Sequence, residues 1–246
     1  MPIVRTVHIF CEKGLEVLLP HTEKAIKDVL ECFPQYKDNY AVNSVGAWRN
    51  KNCQITQSDG RKGLKEYESV DWYISHAGYR STQEGRWKLG HQLSAEQLWE
   101  DLTENPYFKD TPQYFFLLLK HDMYFGENNF CLGVTKPDAF SIVSTSSILS
   151  DKSLNIEEFK TLVMHEFGHL INLTPDNRPN TKKDVRTECR NVGCLMCRCT
   201  DSNIGSMTQI RKDRMRYNFS LLCEDCLKAG ERFFNRQLAE ARKEAK

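Results

Sequence analysis

A chain of 246 residues with 40% apolar content is long enough for one domain with a real core, or for two lobes. A net charge of +1 gives no bulk attraction to nucleic acid or to a membrane surface. The opening "MPIVRTVHIF" lacks the long apolar stretch of a signal peptide, and the longest apolar run, "YFFLLL" (114–119), is far too short to span a bilayer, so the expectation is a soluble, cytoplasmic protein with no membrane partner.

In chain order, "IVRTVHIF" (3–10) reads as a first strand. "HTEKAIKDVLECF" (21–33) carries Ala25, Ile26, Val29, Leu30 and Phe33 at helical spacing and ends before Pro34. "YAVNSVGAW" (40–48) reads as a second strand. Together these predict a β-α-β start and a sheet with at least one parallel pair. Residues 50–90 are polar and Gly-rich, with only "DWYIS" (71–75) strand-like. "SAEQLWEDLTEN" (94–105) reads as a serine-capped helix. "QYFFLLLKH" (113–121) reads as a buried central strand, followed by short strands in "NFCLGVT" (129–135) and "FSIVSTSSI" (140–148) around a Pro-Asp turn.

A helix is predicted over 155–172. Asn155 with Glu158 resembles a capping box, and Ile156, Phe159, Val163, Phe167 and Leu170 recur every three or four residues. Beyond it, "TPDNRPNTKKDVRT" reads as a polar loop. A cysteine-rich stretch follows, then a tail helix in "AGERFFNRQLAEARKEAK" whose charges form a solvated face.

Ten cysteines are present, and their distribution is informative. Cys11, Cys32, Cys53 and Cys131 are scattered, whereas Cys189, Cys194, Cys197, Cys199, Cys223 and Cys226 fall within 38 residues. Such clustering in a leaderless chain reads as metal ligation more than disulfide bonding.

The predicted helix contains His165, Glu166 and His169 in H-E-x-x-H. Four apart on a helix, the two imidazoles point the same way and suit one zinc. Glu166 then sits beside the zinc-bound water and takes its proton, since zinc lowers the pKa of that water to about 7. The bland alternative is a chance pair of surface histidines, which the apolar neighbours Val163, Met164, Phe167 and Leu170 argue against. A catalytic zinc needs a third protein ligand. In the longer pattern H-E-x-x-H-x-x-G-x-x-H, Asn172 stands at the glycine and Pro175 at the third histidine. Asp176 and Glu188 are the two candidates.

"ECRNVGCLM" (188–196) is C-x4-C-x-M preceded by Glu, with "CEDC" at 223–226. With H-E-x-x-H, this resembles the archaemetzincin family of zinc metallopeptidases, most strongly over 155–226. The resemblance implies an α/β metzincin-like fold and hydrolysis of peptide bonds by a water activated by Glu166. It implies two zincs. The catalytic one would be held by His165, His169 and Glu188, with Met196 as the Met-turn beneath it. The structural one would be held by Cys189, Cys194, Cys223 and Cys226. It also implies an upper lobe with a mixed β-sheet and the active-site helix (1–172), and a small zinc-stabilised lower lobe (173–246). Four departures stand out. Asn172 replaces the helix-ending glycine, so the chain is expected to turn differently there. The loop 173–187 is longer than the family's short form. A carboxylate, Glu188, falls where the family has a histidine. Finally, 26 residues separate Met196 from Cys223.

Eighteen residues also separate His169 from Glu188, a spacing that resembles the gluzincins, whose third ligand is a glutamate on a second helix. "CLMCRC" leaves Cys197 and Cys199 as spare thiols or substitute ligands. Two further function classes compete with the peptidase. One is a non-catalytic zinc-binding protein on a metzincin-like fold, which would have no chemical need for Glu166. The other is a nucleic-acid module built on "RKDRMRY" (211–217), which the near-zero net charge argues against. The expected partner is a peptide or protein substrate, laid in extended form beside an edge strand from "NFCLGVT" or "FSIVSTSS".

Overall fold

The computed structural model describes residues 5–47, 53–56, 62–65, 70–85, 92–104, 113–127, 131–146, 148, 155–183, 187–197, 212–214, 216 and 220–244. Strand β1 (Arg5–Cys11) leads through helix α1 (Leu19–Leu30) to strand β2 (Tyr40–Ala47), which pairs with β1 in parallel. The β-α-β start is therefore present, and α1 buries Ala25, Ile26, Val29 and Leu30 as its spacing requires. A hairpin of β3 (Cys53–Thr56) and β4 (Lys62–Lys65) follows.

Residues 71–75 correct the sequence reading: they lie in helix α2 (Val70–Gln83), not in a strand. A five-residue window sees only the aromatic and β-branched run "WYI". Over fourteen residues the buried Val70, Tyr73, Ala77 and Ser81 recur at helical spacing.

Strand β5 (Leu93–Ser94) runs into helix α3 (Ala95–Glu104), where the expected serine cap is in place: Gln97 N donates to Ser94 Oγ at 3.2 Å. Strands β6 (Tyr114–Leu119), β7 (Met123–Tyr124), β8 (Gly133–Lys136) and β9 (Phe140–Ser144) come next.

The main sheet has the order β2-β1-β6-β9-β8. The first four strands are parallel, and β8 is the antiparallel edge. Strand β6 is buried on both faces, which is why it reads as an unbroken apolar run. Its side chains alternate: Tyr114, Phe116 and Leu118 enter the core shared with α1, while Phe115, Leu117 and Leu119 enter the core under α2 and α3. Of the two segments proposed as a substrate-aligning edge, "FSIVSTSS" is excluded. Strand β9 is interior, with β6 on one side and β8 on the other.

Helix α4 (Ile156–Leu170) is capped as predicted, with Glu158 N donating to Asn155 Oδ1 at 3.3 Å. Its end corrects a second expectation. Asn172 adopts φ 53, the left-handed conformation that a helix-ending glycine supplies. Leu173 N donates to Gly168 O and Asn172 N to His169 O, both at 2.9 Å. This is the paired hydrogen-bond closure of a Schellman motif, and asparagine is the side chain that best tolerates that conformation. The chain therefore turns there in the way a glycine would allow.

The segment expected as a polar loop carries an antiparallel hairpin, β10 (Thr181–Lys183) with β11 (Thr187–Cys189). The tail helix α5 (Glu224–Glu244) begins five residues before the predicted segment, so Cys226 sits in its first turn. Phe234 of α5 packs against Phe33, Tyr36 and Tyr40 at ring separations of 5.0–5.2 Å. Gln237 donates to Asp138 Oδ2 at 2.8 Å. Helix α5 thus packs against the segment that joins α1 to β2, the start of β2 and the turn between β8 and β9. Among the described residues, no helix is long and apolar enough to cross a membrane.

Candidate metal centres

The α4 histidines are buried, with His165 5% and His169 7% exposed, so the surface-pair alternative fails. The two Nε2 atoms face each other at 3.2 Å. Glu188, on β11, brings Oε2 to 3.5 Å from His165 Nε2 and Oε1 to 3.4 Å from His169 Nε2. Ligand atoms about 2.05 Å from one tetrahedral zinc stand about 3.3 Å from each other, so the triangle has the size a zinc ion requires. His165 Nδ1–H donates to the Leu195 carbonyl at 2.8 Å, which leaves its Nε2 as a lone pair aimed at the triangle. His169 Nδ1 meets Thr174 Oγ1 at 3.3 Å. Among the described residues Glu188 Oε2 has no hydrogen-bond partner. Lone pairs and a carboxylate converge there, an arrangement suited to a cation.

Electrostatics agree with this. Burial alone would raise the Glu188 pKa, but His169 and His165 more than reverse it and hold the carboxyl well below its usual range. Burial alone would lower the His165 pKa, and Glu188 with Glu166 more than offsets that and raises it.

Asp176, the other candidate, is not in this group. Its Oδ1 accepts from Thr187 Oγ1 at 2.5 Å, so it braces the strand residue just before Glu188. Nor does Glu188 lie on a second helix, as the gluzincin spacing would need. The chain reaches it through a hairpin.

Glu166 is 2% exposed, and Thr135 Oγ1 donates to its Oε2 at 2.7 Å. Ser141 Oγ lies 2.7 Å from Thr135 Oγ1 and completes the chain of hydroxyls. A β-carbon on Gly133 would overlap the Glu166 carboxylate, so only glycine lets β8 run this close. Gly168 plays the same part beneath the helix, where a β-carbon would collide with Met196 Sδ. Met196 is fully buried there. No motif in the sequence marks Thr135, Ser141 or Gly133. The position of Gly168 between Glu166 and His169 was the one readable signal.

The second group consists of Cys189, Cys194, Cys223 and Cys226, whose sulfurs lie within 4.8 Å of one another. Cys189 and Cys223 are 3.7 Å apart, and Cys194 and Cys226 are 3.6 Å apart. A disulfide requires about 2.05 Å. Sulfurs each about 2.3 Å from a tetrahedral zinc stand about 3.8 Å apart, close to what is seen. Cys197 is not in the group, and Cys199 lies outside the described residues, as do Arg211, Met215 and Tyr217 of "RKDRMRY". A buried arginine, Arg178, reaches in, and its Nη1 donates to Cys226 Sγ at 3.1 Å. The two groups meet at consecutive residues, Glu188 and Cys189. Cys189 N donates to Met196 O at 2.7 Å and closes the turn under the histidines.

The fold is similar to that of archaemetzincin from Methanopyrus kandleri, with a TM-score of 0.55 and 16% identity over 94% of this chain and 96% of that one. This is the archaemetzincin fold. A zinc-dependent peptidase from Methanocorpusculum labreanum scores 0.48, with 15% identity over 91% of this chain and 99% of that one. Archaemetzincin from Archaeoglobus fulgidus, solved with malonate, scores 0.45, with 13% identity over the same shares. No protein-family model and no curated protein matches the chain. At such identities, what is shared with the archaemetzincin fold is the path of the chain. The chemistry rests on the side chains described above.

Proposed function

We propose that the protein is a zinc metallopeptidase that hydrolyses peptide bonds, with one catalytic and one structural zinc. The observation that carries this reading is the triangle of His165, His169 and Glu188 donor atoms, 3.2–3.5 Å on a side, one residue from the general base Glu166. Zinc held there would supply Lewis acidity, lowering the pKa of a water toward neutrality and polarising the scissile carbonyl. The remaining work falls to the chain. Thr135 orients the Glu166 carboxylate, which takes the proton from the attacking water and later returns it to the leaving amine. Leu195 O and Thr174 Oγ1 hold the two imidazoles. Met196 and Gly168 set the depth of the turn below them.

Strand β8 is the edge beside Glu166, so an extended substrate lies along Gly133–Lys136 and is held by main-chain pairing. Because it recognises backbone, this mode suits a site that selects few side chains. Cys189, Cys194, Cys223 and Cys226 would close around the structural zinc, leaving no open position for substrate.

A proteome-derived peptide library read by mass spectrometry tests the reading. Cleavage by the zinc-loaded protein should stop on chelation, return on zinc addition, and be missing from Glu166→Ala. Equal cleavage by Glu166→Ala would remove the peptidase assignment. A folded protein with both zincs that cuts nothing would favour the non-catalytic alternative.

A further inference from the structure

Arg178 is a buried cation in an unusual place. It is 5% exposed, and the groups it faces are sulfurs: its Nη1 donates to Cys226 Sγ at 3.1 Å, and Cys189 lies beside it as a second acceptor. Its Nε and Nη2 have no partner there, and no carboxylate pairs with it among those residues. A guanidinium stays charged at any physiological pH, so burying it without an opposite charge is strongly unfavourable. Four neutral thiols offer no such charge. Four thiolates around a divalent ion carry a net charge of about −2, held in the same low-dielectric pocket.

We propose that Arg178 is the counter-cation of the four-cysteine centre, a positioning residue that offsets the negative charge of its metal-bound sulfurs. This rests on the zinc reading of those cysteines given above. The backbone presents the side chain firmly: Arg178 N donates to Pro175 O at 3.0 Å, and Arg178 O accepts from Thr181 Oγ1 at 2.8 Å. The residue belongs to the loop between the catalytic helix and Glu188, the one that is longer than the family's short form. One element therefore touches both centres. Asp176 braces Thr187 beside Glu188, and two residues later Arg178 reaches the sulfurs. The planar fork of arginine suits donation to sulfurs on a curved cluster, which lysine can match in charge but not in shape.

The test is chelator competition on the full-length, zinc-loaded protein. Labelling with N-ethylmaleimide, mapped by mass spectrometry to Cys189, Cys194, Cys223 and Cys226, assigns released zinc to that centre. Arg178→Met should lose the cysteine zinc at roughly 10- to 100-fold lower chelator concentration, the usual effect of removing a residue that supports metal ligands. Arg178→Lys should fall between this variant and the parent protein. A parent-like Arg178→Met overturns the inference, as does an Arg178→Lys no better than Arg178→Met, since charge would then not matter. Should Arg178→Met fail to fold, Arg178→Lys decides alone: retention within about tenfold supports the role, and a loss near 100-fold overturns it. If the parent protein holds no zinc at these four cysteines, the zinc reading itself fails and Arg178 with it.

Discussion

The histidine centre and the cysteine centre touch at Glu188 and Cys189 but are built differently. The histidines lie on one regular helix whose other faces, Phe159, Val163, Phe167 and Leu170, are sealed into the main core. Apolar packing holds that helix in place, so a metal bound there would add a function to a frame already formed. The cysteines come from strand β11, the turn at 190–197 and the residues that open α5, three separate pieces of chain. Such pieces need a staple, and binding energy at a structural zinc is folding energy. The first centre should therefore tolerate loss of its metal, and the second should not.

Losing a cysteine should have the largest effect. Cys223→Ser should release one zinc, weaken zinc at the neighbouring site and destabilise the fold by at least about 3 kcal/mol, lowering Tm by roughly 6–12 °C for a chain of this size. The damage should extend beyond the proposed lower lobe, because α5 also carries Phe234 into the first core. Calorimetry with metal analysis would show this. Normal melting with two zincs would mean that the second centre is not structural.

Glu166→Ala is the contrasting case. It removes a proton acceptor from a helix that is already folded, and alanine is a good helix former. Activity should fall about 10²- to 10⁴-fold, with both zincs retained and Tm close to that of the parent. Gly133→Ala should reach a similar end by another route, since the added methyl pushes the Glu166 carboxylate aside. There kcat should fall while zinc content holds. A Gly133→Ala enzyme with full activity would show that the close approach of β8 is dispensable.

Asn172 should give the smallest effect. Asn172→Ala places an ordinary side chain at φ 53 and should cost about 1 kcal/mol, whereas Asn172→Gly should cost nothing or stabilise slightly. Denaturant unfolding separates the two. Equal costs for both would indicate that the side chain, not the conformation, matters there.

Much of this was readable in the sequence because the signals were local. The helix carrying His165 and His169 shows its cap, its period and its ligands within sixteen residues. Strand β6 shows itself through six consecutive apolar side chains buried on both faces. What was missed depends on contacts between distant segments. The hairpin that delivers Glu188 pairs polar residues, so no apolar alternation marks it. Thr135 and Gly133 matter only because β8 packs on α4, and Arg178 only because Cys226 comes to it from 48 residues away. Helix α2 is hidden because a short aromatic run suits either period. Asn172 was read by residue name, whereas the structure depends on its φ angle.

Zinc stoichiometry by native mass spectrometry, on the parent protein and on Glu188→Ala and Asp176→Ala, tests the central claim most directly. The two-centre account predicts two zincs in the parent and one in Glu188→Ala, with the cysteines still protected from alkylation and Tm little changed. Asp176→Ala should still be able to hold two. A parent protein with a single zinc, or a Glu188→Ala protein that keeps two while Asp176→Ala loses one, would contradict it.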